Sequence, residues 1–216
     1  MEKEIRFVET TAGECLTEMF VRAVARRYHY EWKDQKKLRQ VAADIRSALE
    51  GQEGFYCILP DRLDNFLKKE NKKGEYYAGV ILTLGEGVDR LQDIYNDKGD
   101  MEGAYMAEVM TGELLRNAYL QFSSWLLKNS CYETESFHFF GTEEEFPMER
   151  MTKLLDYQSE KKVTCNGAYC LKPKKSVVFV AKLRNQRKNV ESGREKNISA
   201  AMCAACENKN CIYKIS

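Results

Sequence analysis

The sequence predicts an α+β protein, because stretches with strand patterning and stretches with helical patterning follow one another without strict alternation. Residues 54–59 and 77–84 form short, almost continuous apolar runs, which are typical of buried strands. Elsewhere apolar residues recur three or four apart over longer stretches, which is typical of helices that pack on one face. A chain of 216 residues, 44% of them hydrophobic, can bury a substantial core.

Two amphipathic helices are predicted near the amino terminus. Thr11 and Glu14 have the spacing of a capping box, and we expect the helix behind them to end near Arg27. Its expected inward face consists of Cys15, Leu16, Met19, Phe20, Ala23 and Val24. A second helix is expected to end before Gly51. Its inward residues are Leu38, Val41, Ala42, Ile45 and Leu49.

The strand 77–84 leads through Gly85 and Gly87 into a third helical pattern. This glycine pair resembles the start of a phosphate-binding turn, but no third glycine follows, and a simple strand-to-helix turn is favoured. Asp100 is a good N-cap for the longest predicted helix, which we expect to be the spine of the domain. Its expected inward residues are Tyr105, Val109, Gly112, Leu115, Tyr119, Phe122 and Leu126.

The last third of the chain is predicted to add one helix and two strands to the body. Pro147 can begin a helix after the polar break at 142–145, with Met148, Met151, Leu154 and Leu155 inward. Residues 163–171 and 176–183 are predicted as two strands. We therefore expect an α+β body over 1–183, a polar linker or surface loop over 184–199, and a cysteine-rich tail over 200–216.

The charge balance excludes broad electrostatic recognition. Lys and Arg number 34 against 33 Asp and Glu, and the net charge of +1 argues against nucleic acid or an anionic membrane as partner. The first six residues contain no apolar signal core, and no stretch approaches the roughly 20 apolar residues that cross a bilayer. A cytoplasmic protein is expected, and its eight cysteines are expected to be core residues, metal ligands or redox groups rather than disulfides.

Three cysteines at the carboxyl end form the strongest spacing signal. Cys203, Cys206 and Cys211 can place their thiolates around one zinc ion, with a fourth ligand from a water or from Cys165, Cys170, His29 or His138. Three thiolates also suit an iron–sulfur cluster with one open iron. The alternative is a tail of reduced thiols without a metal.

The two histidines and a triple glutamate leave further alternatives open. His138 lies among phenylalanines, where it is either a packing residue or a polar group poised in an aromatic pocket. Residues 143–145 are either a solvated loop or a carboxylate site for a cation such as a sulfonium or an amine. No Ser-His-Asp or Cys-His pair is visible, although residues that meet only in space leave no such signature.

Several segments, in order and spacing, resemble the activation-domain family of cobalamin (vitamin B12)-dependent methionine synthase in its free-standing bacterial form. The resemblance spans roughly residues 10–216 and includes the cysteine tail that ends at Tyr213. The segments that carry it are Leu82 to Gly85 with Val88 and Asp89, Gly99 to Met101, Phe146 to Met148 with Leu154 to Asp156, and Pro173 to Val177.

The resemblance implies a C-shaped single domain with a twisted, mostly antiparallel sheet flanked by helices. It implies an accessory or reactivation module for a corrinoid-dependent methyltransferase, which presents the methyl group of S-adenosylmethionine to the cobalt of a cobalamin on a partner protein. That partner is a corrinoid-binding protein or a cobalamin-dependent methyltransferase, served by a flavodoxin-like electron donor. The implied ligand residues are His138, Phe139, Gly141, Glu143, Asn166 and Tyr169.

The chain departs from the family pattern at this ligand site. The family loop carries an arginine before a Pro-Gly-Tyr turn, whereas here Gly141 is the turn glycine and His138 is the nearest cation. The family's Thr-Glu-Ser corresponds to 166–168, which lacks the carboxylate. An alternative is therefore a protein of the same fold that does not bind S-adenosylmethionine and acts as a zinc- or iron–sulfur-bearing adaptor, or as a metal-free interaction domain.

Overall fold

The structure, a computed structural model, describes residues 7–49, 51–59, 63 and 76–186. These residues form an α+β domain with five α-helices, a five-stranded antiparallel sheet and a two-stranded hairpin. The expectations for the linker beyond residue 186 and for the cysteine-rich tail over 200–216 lie outside the described residues. Within the described part, no helix is long and apolar enough to cross a membrane.

The main sheet has the strand order β1-β2-β3-β7-β4, and β5 and β6 form the separate hairpin. The described strands are β1 (Val8–Glu9), β2 (Gly54–Ile58), β3 (Tyr76–Thr83), β4 (Tyr132–Phe139), β5 (Thr164–Cys165), β6 (Leu171–Lys172) and β7 (Ser176–Asn185). The helices are α1 (Glu18–Arg27), α2 (Gln35–Leu49), α3 (Glu86–Asp97), α4 (Met101–Asn129) and α5 (Met148–Leu155). Short 3-10 helices span Ala12–Cys15 and Trp32–Asp34.

The chain divides into two compact units. Unit 1 comprises Met1–Cys57, Ile81–Tyr119 and Leu155–Val177, and unit 2 comprises Ile58–Val80, Leu120–Leu154 and Val178–Ser216. Strands β3 and β7 contribute residues to both units. In unit 1, α1, α2 and the first half of α4 enclose a buried apolar core that includes Val24, Leu38, Ile45, Met106 and Leu114.

Helix α1 begins later than the sequence predicted, although it ends at Arg27 as expected. The capping box is not formed, because the chain leaves the 3-10 helix at Leu16 and the side chain of Thr11 makes no cap hydrogen bond. The cap is Thr17, whose Oγ1 accepts from the backbone N–H of Phe20 at 3.3 Å. The break shifts the helical phase, so Met19 is 81% exposed instead of facing the core.

Helix α2 confirms the predicted face, since all five of its expected inward residues are buried. It ends at Leu49, and Gly51 follows with a φ of 73°. Positive φ suits glycine because it has no Cβ to collide with the backbone. The buried face of α2 and its end before Gly51 could both be predicted from the sequence, because the apolar residues of this helix lie on one face only.

The Gly85–Gly87 segment is a tightly packed strand-to-helix turn, as the sequence favoured. Gly85 precedes α3 with a φ of 82°, and the N–H of Gly87 donates to Oε1 of Gln52 at 3.0 Å. A Cβ on Gly87 would lie 1.9 Å from the carbonyl oxygen of Ala48. Because Gly85 and Gly87 have no Cβ, this turn packs closely against Gln52 and Ala48 within unit 1.

Asp100 caps α4 as predicted, because its Oδ1 accepts from the N–H of Gly103 at 3.0 Å. The ammonium of Lys37 also contacts this carboxylate and, together with the Gly103 N–H, lowers the pKa of Asp100. The inward face was predicted wrongly at Tyr105, which is 58% exposed, although Val109, Phe122 and Leu126 are buried. Apolar residues lie all around this helix, so spacing alone did not single out the buried stripe.

Helix α5 follows Pro147 and buries Met151, Leu154 and Leu155 as predicted. The stretch 163–171 is a hairpin instead of the single strand that we expected, because β5 and β6 pair with each other. The side chain of Asn166 accepts from the N–H groups of the following turn and competes with a continued strand ladder.

Gly87→Ala should destabilise the protein by about 3 kcal/mol, the upper end of the range for overpacking. The added Cβ meets backbone at Ala48, which cannot move without displacing α2. Urea unfolding followed by circular dichroism measures the effect. Gly167→Ala is the matched control, since no heavy atom lies within 4 Å of its Cβ position. Equal stability of the two variants would contradict the close approach.

Candidate functional site

The turn between β4 and α5 brings several of the predicted ligand residues together in unit 2. His138 and Phe139 end β4, and Gly141 and Glu143 lie in the turn before α5. The turn closes on itself, because the N–H of Gly141 donates to the carbonyl of Phe146 at 2.7 Å. Gly141 has a φ of 80°, and a Cβ there would lie 2.9 Å from Sδ of Met148. Glycine is thus required for this shape of turn.

His138 is hydrogen-bonded through both ring nitrogens. Its Nδ1 lies 2.9 and 3.0 Å from the two carboxylate oxygens of Glu143, and its Nε2 lies 3.0 Å from Oγ of Ser136. With the proton on Nδ1, the ring donates to the carboxylate and accepts the serine hydroxyl proton. The His138 side chain is 22% exposed and that of Glu143 is 42% exposed, so the carboxylate remains open to solvent.

Aromatic rings surround the imidazole on its face of the sheet. The ring centroid of Phe146 lies 5.2 Å from that of His138, and the ring of Tyr77 lies 6.5 Å away. Phe139 points to the opposite face of β4, because strand side chains alternate, and its ring contacts Phe179 at 5.9 Å. The side chains of His138 and Glu143 therefore share a site that the ring of Phe139 does not enter.

Asn166 and Tyr169 belong to unit 1, in the turn between β5 and β6. The amide oxygen of Asn166 accepts from the N–H groups of Ala168 at 3.0 Å and Cys170 at 2.9 Å, so this atom holds the turn. Tyr169 has a φ of 59°, a conformation that non-glycine residues adopt uncommonly and often near functional sites. The predicted ligand residues thus fall into two groups, one belonging to each unit.

The cysteines of the predicted metal site, Cys203, Cys206 and Cys211, lie outside the described residues. Among the residues that the structure does describe, no group of three or more His, Cys, Asp or Glu side chains could hold a metal. Cys165 and Cys170 are free thiols in unit 1, and Cys170 is exposed.

Ser136 is the site residue that sequence reasoning missed. It lies two residues before His138, and a period of two places both side chains on the same face of a strand. A β-bulge between Thr134 and Ser136 keeps Ser136 in register with Lys182 of β7. The Ser-x-His spacing was present in the sequence, but it becomes informative only once these residues are known to form a strand.

The arrangement combines two chemical capacities. A partly exposed carboxylate such as that of Glu143 attracts cations, because it supplies a full negative charge. A serine hydroxyl, an imidazole and a carboxylate in a hydrogen-bonded chain can also move a proton. Both capacities depend on the turn at Gly141, which returns Glu143 to the side of His138.

Comparison with known proteins identifies no family for this chain. A scan against protein-family models finds no match, and neither does a search of curated proteins.

Asn166→Ala should loosen the β5–β6 turn, because it removes the acceptor of two backbone N–H groups. We expect a loss of about 1 kcal/mol in unfolding free energy, the usual worth of such hydrogen bonds. Hydrogen exchange should accelerate at the amides of Ala168 and Cys170. Thr164→Ala, which leaves these bonds intact, is the control, and unchanged exchange in Asn166→Ala would disprove the role of the side chain.

Proposed function

We propose that the protein is an accessory or reactivation module for a corrinoid-dependent methyltransferase of the methionine synthase type. It binds S-adenosylmethionine and presents the methyl group to a corrinoid that a partner protein holds. The observation that carries the proposal is the carboxylate of Glu143, held by His138 beside the ring of Phe146. The C-shaped arrangement that the family resemblance implies is part of this proposal.

The chemistry of the ligand fits that site. A sulfonium is a cation without a hydrogen-bond donor, so it is recognised by aromatic faces and by a negative charge nearby. The site offers a carboxylate that is 42% exposed, and the buried rings of Phe146 and Tyr77 pack against the imidazole that holds it. Each carboxylate oxygen can accept more than one contact, so the bond to His138 leaves Glu143 able to face a ligand.

The task of this chain is positional. The corrinoid of the partner supplies the nucleophilic metal, and the electron that activates it comes from a flavodoxin-like donor. The residues of the Gly141 turn hold the sulfonium with its methyl group outward and shield it from water. Holding two reactants in line removes much of the entropic barrier to transfer.

Calorimetric titration with S-adenosylmethionine tests the ligand. We expect binding by the wild-type protein and about a tenfold loss of affinity in Glu143→Gln, which removes a charged contact. Glu144→Gln is the matched control, because Glu144 is the exposed neighbour in the same turn. No heat and no thermal shift at millimolar ligand would exclude the methyl-donor role.

The spacing of Cys203, Cys206 and Cys211 supports a second candidate. We infer that these thiolates bind zinc or an iron–sulfur cluster, and that a chain which fails to bind S-adenosylmethionine acts as a metal-bearing adaptor.

Anaerobic purification followed by metal analysis tests this candidate. We expect about one zinc per chain, or a brown protein with iron–sulfur absorption. Cys203→Ser should lower the metal content, whereas Cys131→Ser should leave it unchanged. A metal-free, fully stable wild-type preparation would rule out the metal site.

A further inference from the structure

Ser136, His138 and Glu143 form a continuous chain of side-chain hydrogen bonds. The serine Oγ lies 3.0 Å from Nε2 of His138, and Nδ1 of the same ring lies 2.9 Å from Oε1 of Glu143. A hydroxyl bonded to an imidazole that a carboxylate orients is the arrangement of an activated nucleophile. Such sites are recognised by geometry and not by order along the chain.

We propose that these three residues form an ester-cleaving site in which Ser136 is the nucleophile, His138 is the general base and Glu143 positions the imidazole. This activity goes beyond the methyl-donor function, because it uses a covalent intermediate on the chain itself and needs no cofactor. Two local features build the site. Strand alternation aligns Ser136 with His138, and the turn at Gly141 returns Glu143 to the imidazole.

Besides the ester, the only reactant that this reaction needs is water. Oγ of Ser136 attacks the carbonyl carbon of the ester, and its proton passes to Nε2 of His138. The bond from the acyl carbon to the alcohol oxygen breaks, and the alcohol leaves with that proton. Water then attacks the acyl-serine and gives a proton to His138. The carboxylic acid departs, and Ser136 regains its proton.

The surroundings fix the imidazole that must protonate the leaving group. The rings of Phe146 and Tyr77 lie beside it and are themselves buried, so they hold its orientation.

A fluorophosphonate probe tests the nucleophile directly. Its phosphorus forms a bond to Oγ, fluoride leaves, and the hydroxyl proton passes to His138. Mass spectrometry of the full-length protein should locate one label on Ser136. Ser136→Ala should remove the label, and Ser124→Ala, an exposed serine on α4, should not. His138→Gln should slow labelling about 100-fold while Ser136 is still present, so the test does not depend on one variant folding.

Hydrolysis of p-nitrophenyl acetate separates the roles of the three residues. Ser136→Ala should reduce the rate to that of free imidazole in solution. Glu143→Gln should lower kcat about tenfold with KM unchanged, and Glu143→Asp should restore part of it, which a purely structural carboxylate would not do. Binding of S-adenosylmethionine is measured on the wild-type protein in the absence of ester, so this activity and the methyl-donor function can fail independently. An unlabelled Ser136, or full hydrolysis by Ser136→Ala, overturns the proposal.

Discussion

The antiparallel ladder between β4 and β7 is the constraint on which the chemistry of unit 2 depends. Its register runs from Tyr132 opposite Asn185 to Phe139 opposite Phe179, with one bulge at Thr134 and Ser136. Strand alternation then decides which side chains meet. Phenylalanines on one face join the ring of Phe179, and Ser136 and His138 share the other face. A shift of one residue would exchange these faces and dismantle the site.

Polar side chains shape two of the turns in unit 1 through hydrogen bonds to nearby backbone. Asn166 closes the β5–β6 turn with its amide oxygen. The side chain of Gln158 is buried just after the end of α5. Its amide nitrogen donates to the carbonyl of Val163 at 2.7 Å, and its amide oxygen accepts from the N–H of Val163 at 2.9 Å. Each of these hydrogen bonds satisfies a polar group that would otherwise bond to water, and it therefore stabilises one conformation of its turn.

Thiol chemistry divides by environment in the described part of the chain. Burial raises the pKa of Cys57 to about 12, so that thiol stays protonated and unreactive at neutral pH. Cys170 is exposed and open to ligands or oxidants. The cysteines of this chain therefore differ in reactivity. A buried thiol such as that of Cys57 is inert, whereas an exposed thiol such as that of Cys170 can bind a ligand.

Much of the fold was readable from the sequence, because local patterns determine local structure. The face of α2, the cap at Asp100 and the strand-to-helix turn at Gly85 follow from periodicity and from side chains that bond to nearby backbone. The family resemblance places His138 and Glu143 in one ligand loop, which stays a prediction, and the structure shows that the two side chains are hydrogen-bonded to each other. Only the tertiary structure decided the buried stripe of α4 and the chain of bonds from Ser136 to Glu143. Those depend on which surfaces pack and on how a turn folds back, and spacing along a chain does not record distance in space.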